Sequence, residues 1–434
     1  MNTAAQILAV VTLAVVLFSL LKPHRVLSVY IITRPMIQPF IFLQQTLFGV
    51  PYSLLWAGIL PVVYAINVFY GRWKIFCYKS LPLLAILALS ILSMAVSVDL
   101  ELSYAGAVKI TCAVLAYGAA FNLVRGGESA NKIITAIVLS SVIPLAFGLY
   151  QAVTGQYDQI YSSVTDRVNS VFGVGNAYGI YLTITMCAAI MLISQPDLKR
   201  NTRLFYIGLL AAMCASQVLA LNRGTWIALV LAIGVSLLPY RRKVKIRWFV
   251  IGGLVLGMAF SGVIVKRLTE TTYRYDGTEA NTFQGRIDYW NYLMPQILEK
   301  PVLGHGIGTT GEVPGSRQPH NDYLRFAMDI GIVGSLLYIY FLVSLAWFFF
   351  SRLRTRRGRE LWRYNFPMSV LNIYFIIISS TQNITVSFIN FGFFLMLNGA
   401  IVRLNTLQSA SVHVTEKKPL GLLVAHRQKL QSST

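Results

Sequence analysis

Charge is scarce in this sequence. Only 12% of its 434 residues are Asp, Glu, Lys or Arg, against about 25% in an ordinary soluble domain. That shortage excludes a soluble globular chain with a solvated surface. It also excludes a nucleic-acid-binding protein, because no soluble domain is left to carry a basic face. Cysteine is scarce too: Cys77, Cys112, Cys187 and Cys214 include no CxxC pair, so neither a disulfide framework nor a zinc site is supported. Among the 16 acidic residues there is no cluster with His, Asp or Glu of the kind that holds a divalent metal, so no metal and no cofactor is expected. No internal repeat recurs at a fixed period. The glycines at 304, 306, 308 and 311 follow no strand and precede no Gly-Lys-Ser/Thr, which excludes a phosphate loop. No basic residue precedes the first apolar run and no small-residue cleavage site follows it, so a retained span is expected there rather than a removed signal peptide.

Apolar runs fill the rest. Hydrophobic residues are 56% of the chain, in runs of about 17 to 25 residues, each long enough to cross a hydrocarbon core. Backbone groups in lipid must be satisfied within the segment, so these runs are read as helices. The expected spans are 3–21, 26–46, 49–70, 80–97, 104–123, 132–153, 175–194, 204–220, 224–239, 248–265, 322–350, 366–381 and 384–402. The reading is an all-α polytopic membrane protein with about 12 or 13 transmembrane helices. Within 26–46, Arg34, Pro35, Gln38 and Pro39 interrupt the run, so a broken or interfacial helix is expected. The short loops 22–25, 71–79, 124–132, 195–203, 240–247 and 351–365, with the tail from Arg403, hold most of the 37 basic residues and few of the acidic ones. By the positive-inside rule these loops and the C-terminus are cytoplasmic, while 154–174, 221–223 and 266–321 face outward. The formal charge of +21 then reflects topology and contact with anionic membrane lipids. Domain organisation follows: one transmembrane domain over 1–402, a long outward loop 266–321 within it, and a tail 403–434 expected to be mobile in the cytosol.

Chemistry is sought in three outward stretches. One runs from Thr165 to Ala177 and carries Arg167 and Asn176; a second is the turn Leu221-Asn222-Arg223-Gly224-Thr225-Trp226; the third is the long loop, with Arg286 at its middle and His320-Asn321 at its exit. Each places an arginine at an outward helix end, against the topological bias, and such an arginine is costly unless it snorkels or meets an anion. Plainer readings stand beside these: Arg167 paired with Asp166 or a headgroup, Arg223 snorkelling, and Arg286 paired with Asp288 or Glu279. His305, in a glycine turn, is expected to be incidental. Tyr289, Trp290, Leu293, Met294, Ile297 and Leu298 recur at helical spacing, with Pro295 inside, and predict a short amphipathic helix at the membrane surface.

Gly285-Arg286 with Trp290, Pro301-Val302-Leu303-Gly304-His305-Gly306-Ile307-Gly308, His320-Asn321-Asp322-Tyr323-Leu324 and Gly331-Ile332-Val333-Gly334 together resemble the C-terminal region shared by O-antigen ligases and O-antigen polymerases. The stretch from Arg167 to Asn176 and Arg223-Gly224 are similar to two further landmarks, and Thr33-Arg34-Pro35 is similar to some exopolysaccharide members. The resemblance covers about 165 to 350 by motif and implies a GT-C-like membrane glycosyltransferase of the bacterial inner membrane. Such enzymes transfer a glycan from undecaprenyl diphosphate to an acceptor hydroxyl on the periplasmic side, with inversion and without metal. The leaving diphosphate must be held and its charge neutralised, a task that suits the planar, permanently charged fork of arginine. A histidine near neutral pKa can take the proton of the acceptor hydroxyl. The resemblance therefore implies His320 as general base and Arg223 with Arg286 as a diphosphate clamp. Arg167, Asn176, Asn321 and Trp290 become further sugar or supporting contacts.

The acceptor stays open. A growing glycan on a second lipid carrier would make the protein a polymerase, with a chain-length regulator as partner; lipid A–core would make it a ligase. The reading leans to polymerisation of O-antigen or exopolysaccharide repeat units, on the compact loop and Arg34-Pro35. A secondary transporter or lipid-linked glycan flippase is the alternative of another class. It is disfavoured because no repeat appears and midplane ionisable residues, Lys109 and Asp329 the plainest, are few.

Overall fold

A computed structural model describes residues 22–37, 46–47, 50–155, 167–240, 272–275, 278–281, 284–312, 318–355, 358 and 360–416. The chain is an all-α polytopic membrane protein. Its first half contains α1 (Pro23–Thr33), α2 (Tyr52–Phe69), α3 (Leu81–Ser93), α4 (Leu100–Leu123), α5 (Gly127–Leu139), α6 (Val142–Thr154), α7 (Gly175–Ile193), α8 (Arg200–Leu219) and α9 (Arg223–Leu237). The second half contains α10 (Gln284–Glu299), α11 (Asp322–Arg354), α12 (Trp362–Ser379) and α13 (Phe388–Glu416). Among the described residues six helical stretches are long and apolar enough to cross a membrane: Leu100–Leu123, Gly127–Thr154, Gly175–Ile193, Arg200–Leu219, Asp322–Arg354 and Phe388–Ala410. Gly58–Phe69, Leu81–Val96 and Arg223–Leu237 are shorter apolar helices. The expected spans 3–21 and 248–265, most of the tail 403–434 and part of the long loop lie outside the described residues.

The expected interruption of 26–46 is present. Helix α1 stops at Thr33 and gives way to a 3-10 turn, Arg34–Ile37; Arg34 keeps α geometry, but Pro35 has no N–H to continue the helical ladder. Two short antiparallel hairpins were not expected. One pairs β1 (Thr46–Leu47) with β2 (Val50–Pro51), and the other pairs β3 (Thr272–Tyr275) with β4 (Thr278–Asn281) inside the long loop.

Helix α13 is the axis of the bundle. Of its apolar window, 94% is buried inside the protein, against 22% for α8, whose sides are left to face lipid. It packs most closely on α4, where a Cβ at Gly399 would collide with the Tyr117 carbonyl. Small residues allow this approach, and in lipid close van der Waals contact replaces the hydrophobic drive that water would supply. Asparagines bridge α12 and α13: Asn372 Nδ2 donates to Asn398 Oδ1 at 3.0 Å, and Asn405 Nδ2 to Asn365 Oδ1 at 2.8 Å. Helices α7, α9, α11 and α13 all begin at the end of the bundle opposite the basic loops, so their N-termini share one face.

Within the long loop, α10 forms where the spacing predicts it, but its stripe turns inward. Tyr289, Leu293 and Ile297 are buried against Ala327 and Met328 of α11, while Tyr292, Met294 and Leu298 are exposed. The turn after α10 then inserts beside a break in α11. Ile330 and Gly331 leave helical geometry, Gly331 with φ 79°, and the Ile332 N–H donates to the Pro301 carbonyl at 2.8 Å. A Cβ at Gly331 would collide with the Val302 carbonyl, so only glycine lets the loop lie this close.

Candidate functional site

At the end of the bundle opposite the basic loops, several elements converge on one short uncharged segment. Thr381-Gln382-Asn383-Ile384-Thr385 joins α12 to α13, and between them its residues hold α10, α7 and the start of α11. The Thr381 carbonyl accepts from Arg286 Nη1 at 3.2 Å. Gln382 Oε1 accepts from Asn176 Nδ2 at 2.9 Å. Asn383 takes the Asn321 N–H on its Oδ1 at 2.8 Å and donates from Nδ2 to Gln318 Oε1 at 3.1 Å. The Ile384 N–H at 2.9 Å and the Thr385 hydroxyl at 2.6 Å both donate to the buried carboxylate of Asp322. This segment carries no charge and no periodicity, and sequence reasoning passed over it. The signal that could have found it is its composition: five consecutive hydroxyl and amide side chains, Ser379 to Asn383, between two apolar helices.

Three helix N-termini meet there. Asn176 sits in the first turn of α7. Arg223 opens α9, whose cap is Asn222 with its side chain accepting from the Thr225 N–H; a Cβ on Gly224 would come within 3.5 Å of the Thr381 hydroxyl. Helix α11 starts at Asp322, capped by Asn321, whose Oδ1 accepts from the N–H groups of Tyr323 and Leu324. The first amides of a helix have no intrahelical acceptor and carry about half a positive charge, so three such ends make a region that favours an anion. The end of α8 is locked to the start of α9 by Gln217, which donates to the Thr225 hydroxyl at 2.9 Å and accepts from the Trp226 indole on its carbonyl.

The two arginines add full charges to this field. Arg286 is half-buried. Burial lowers its pKa from the usual arginine range, and the nearby positive charge of Arg223 lowers it further, so both influences disfavour its cation in the protein as it stands. Of the two plain partners expected, Asp288 accepts from Gln284 Nε2 at 2.8 Å, and the side chain of Glu279 lies outside the described residues. Among the described residues, ion pairs join Lys132 to Glu128 and Arg325 to Asp329, and none involves Arg286.

His320 stands at the rim. It is exposed and holds a left-handed backbone, φ 50°. Its neighbours are fixed on both sides: the Trp290 indole donates to the Pro319 carbonyl at 2.9 Å, and Asn321 is held by Asn383. Trp290 and Asn321 thus have structural work, positioning the residue between them. Arg167 lies at the other flank, where the Val168 N–H donates to the Leu219 carbonyl at 3.2 Å, close to the Asn222–Arg223 corner. His305 is buried in the glycine turn, its Nε2 within 3.0 Å of the Gln296 carbonyl and its N–H on the Met328 carbonyl. The structure therefore gathers Asn176, Arg223, Arg286, Trp290, His320 and Asn321 around 381–385.

Part of the chain is similar to known proteins. Residues 208–339 match the O-antigen ligase family profile, a stretch that holds Arg223, Arg286 and His320. A protein of Rickettsia conorii named as a polysaccharide ligase is 26% identical over 176 residues, 36% of this chain and 42% of that protein. One of Rickettsia felis with a similar name is 24% identical over 178 residues, with the same shares. The matched stretch thus spans less than half the length of these relatives. These matches support the O-antigen ligase and polymerase superfamily.

Proposed function

On the premise of a chain of the O-antigen ligase type, we propose that this protein is an inverting, metal-independent glycosyltransferase of the bacterial inner membrane, working at the periplasmic face. Its donor is a glycan on undecaprenyl diphosphate. The observation that carries this reading is the meeting of Arg223, Arg286 and three helix N-termini at one polar segment, with no carboxylate paired to Arg286 among the described residues. That field suits a diphosphate, which gains charge as the glycosidic bond breaks, and preorganised donors are worth most where charge develops.

The chemistry is a single displacement. The acceptor hydroxyl oxygen attacks the anomeric carbon while a ring nitrogen of His320 takes its proton. The bond from that carbon to the diphosphate oxygen breaks, and its electron pair leaves on undecaprenyl diphosphate, facing the arginines. Asn176, presented through Gln382, lies where a donor sugar or phosphate would pass. Trp290 and Asn321 hold the backbone on either side of His320, and Arg167 supports the Arg223 corner.

Two acceptors remain in play. Polymerisation of O-antigen or exopolysaccharide repeats, with a chain-length regulator as partner, follows from Thr33-Arg34-Pro35 and the compact loop. Ligation to lipid A–core is favoured instead by the names of the relatives. Purified protein in liposomes with lipid-linked repeat unit alone decides: a polymer ladder means polymerase. Product formed only on adding lipid A–core means ligase. No glycan transfer in either mixture sinks both.

A further inference from the structure

Arg34 is buried deeper than the arginines of the candidate site. It follows α1, whose 11 residues rise about 16 Å, roughly half a hydrocarbon core. Counted from the basic residues Lys22 and Arg25, a helix running along the membrane normal would carry Arg34 into the bilayer. Its side chain is 4% exposed, and among the described residues its Nε and Nη1 have no hydrogen-bond partner. Among the described residues the titratable groups that face it are Tyr30, whose hydroxyl interacts with the guanidinium, and Cys112; no carboxylate is among them. Its guanidinium lies 5.4 Å from the centre of the Phe388 ring.

A cation–π contact is far weaker than the cost of taking a guanidinium out of water, and arginine does not escape that cost by losing its proton. An arginine at this depth with no acid beside it among the described residues points to an anion that arrives from outside the protein. Its position narrows the choice. The turn Arg34–Ile37 packs on α6 and on Ser170–Phe172, the segment just after Arg167. Phe388 opens α13 three residues beyond Thr385. The stretch 381–388 is thus met by Arg286 at one end and Arg34 at the other, with Arg34 on the bilayer side.

We propose that Arg34 binds a phosphate oxyanion of a prenyl-phosphate lipid, at a subsite separate from Arg223 and Arg286. A prenyl tail keeps such a phosphate at membrane depth, which a free aqueous anion cannot reach without crossing hydrocarbon. The identity of the lipid rests on the glycan-transfer reading; the anion site rests on the burial of Arg34. A second phosphate site is what a transferase needs if both of its substrates are lipid-linked.

Native mass spectrometry of the full-length protein in detergent tests this, with undecaprenyl phosphate, undecaprenol, dioleoyl phosphatidate and inorganic pyrophosphate as probes. The wild type is expected to bind two undecaprenyl phosphates and no undecaprenol. Arg34→Met should keep one, and the double variant Arg223→Met/Arg286→Met should keep the other, with affinity at the lost site falling about tenfold or more. Two lipids retained in Arg34→Met overturn the inference and leave the transferase reading standing, which the liposome assay judges separately. Phosphatidate competing equally makes the occupant an ordinary phospholipid, and displacement by pyrophosphate makes it a free anion; either overturns the prenyl-lipid assignment. A wild type that binds none also overturns it. Should Arg34→Met not fold, Arg34→Lys decides, since it keeps the charge and loses the fork. Weakened binding there supports the site, and unchanged binding rejects it.

Discussion

Two arginines, Arg325 and Arg286, belong to adjoining elements and teach opposite lessons. Arg325, on α11, is buried with its counter-charge built in: Nε donates to Asp329 Oδ2 at 3.2 Å, with side-chain exposures of 6% and 0%. Asp329 also accepts from the N–H and hydroxyl of Thr310, so the pair locks the inserted loop to α11. Arg286, on α10, is half-buried, donates to a backbone carbonyl, and has the like charge of Arg223 beside it. Where the acid is supplied by the chain, arginine is architecture. Where a second arginine stands in its place, the geometry suits a substrate anion.

The sharpest way to break this comparison is to remove His320, the base proposed to act with Arg286. His320→Asn keeps a residue that tolerates left-handed backbone, so thermal stability should stay near wild type while transfer falls about 10² to 10⁴ fold. Wild-type turnover in this variant removes His320 from the chemistry. Asp329→Ala probes the architectural side. Stripping one partner from a buried pair costs about 3 to 5 kcal/mol, so the melting temperature should drop steeply, and Arg325→Met/Asp329→Leu should recover most of it. Equal stability of single and double variants would mean the pair is not what secures the loop.

Arg286→Ala and Arg223→Ala should each cost about 10² to 10³ in turnover, and lysine at either site should restore charge without the fork and recover only part. Loss of folding rather than turnover in both alanine variants would move these residues to the Arg325 class. A smaller effect is expected from Asn383→Ala, which frees the Asn321 N–H and Gln318. Each lost hydrogen bond is worth about 1 kcal/mol, and turnover should drop more than substrate affinity because His320 loses its alignment. The smallest effect of all is expected from excess EDTA: transfer should continue if arginines supply the charge, and activity lost to chelator and restored by Mg²⁺ would refute the clamp.

The pattern of legibility has a physical cause. Long apolar runs and basic loops write themselves into composition, so α4, α7, α8 and α11 were readable, as was the break near Pro35. Arg223, Arg286 and His320 stood out because charge at an outward helix end is expensive and therefore visible. The segment 381–385 was not readable, since Thr, Gln and Asn side chains have no charge and no period; their meaning lies in the partners they reach across the bundle. The same holds for Asn321 and Trp290, read as sugar or supporting contacts: the hydrogen bonds by which they hold the backbone beside His320 have no signature in the sequence. The inward turn of α10 depends on the Ala327–Met328 surface, which lies in another helix. Arg34 was seen as a motif; its burial became visible only in three dimensions.

The loop that enters the break in α11 also constrains the order of assembly. The Ile307 N–H donates to the Ser93 hydroxyl at 3.1 Å, across 214 residues of chain, and the Val98 N–H donates to the His305 carbonyl. Its other wall is Met328 to Ile332, made after it. A ribosome therefore delivers the first wall, then the insert, and only afterwards the surface that clamps it. Closing so long a chain loop is slow, so seating 301–310 belongs to the last stage of folding, after the helices are already in the bilayer. Until then α3 and α4 present Ser93, Ser97 and Ser103 without the strand of backbone they are shaped to receive, and the nascent protein offers membrane chaperones and proteases a polar seam that the finished one does not have.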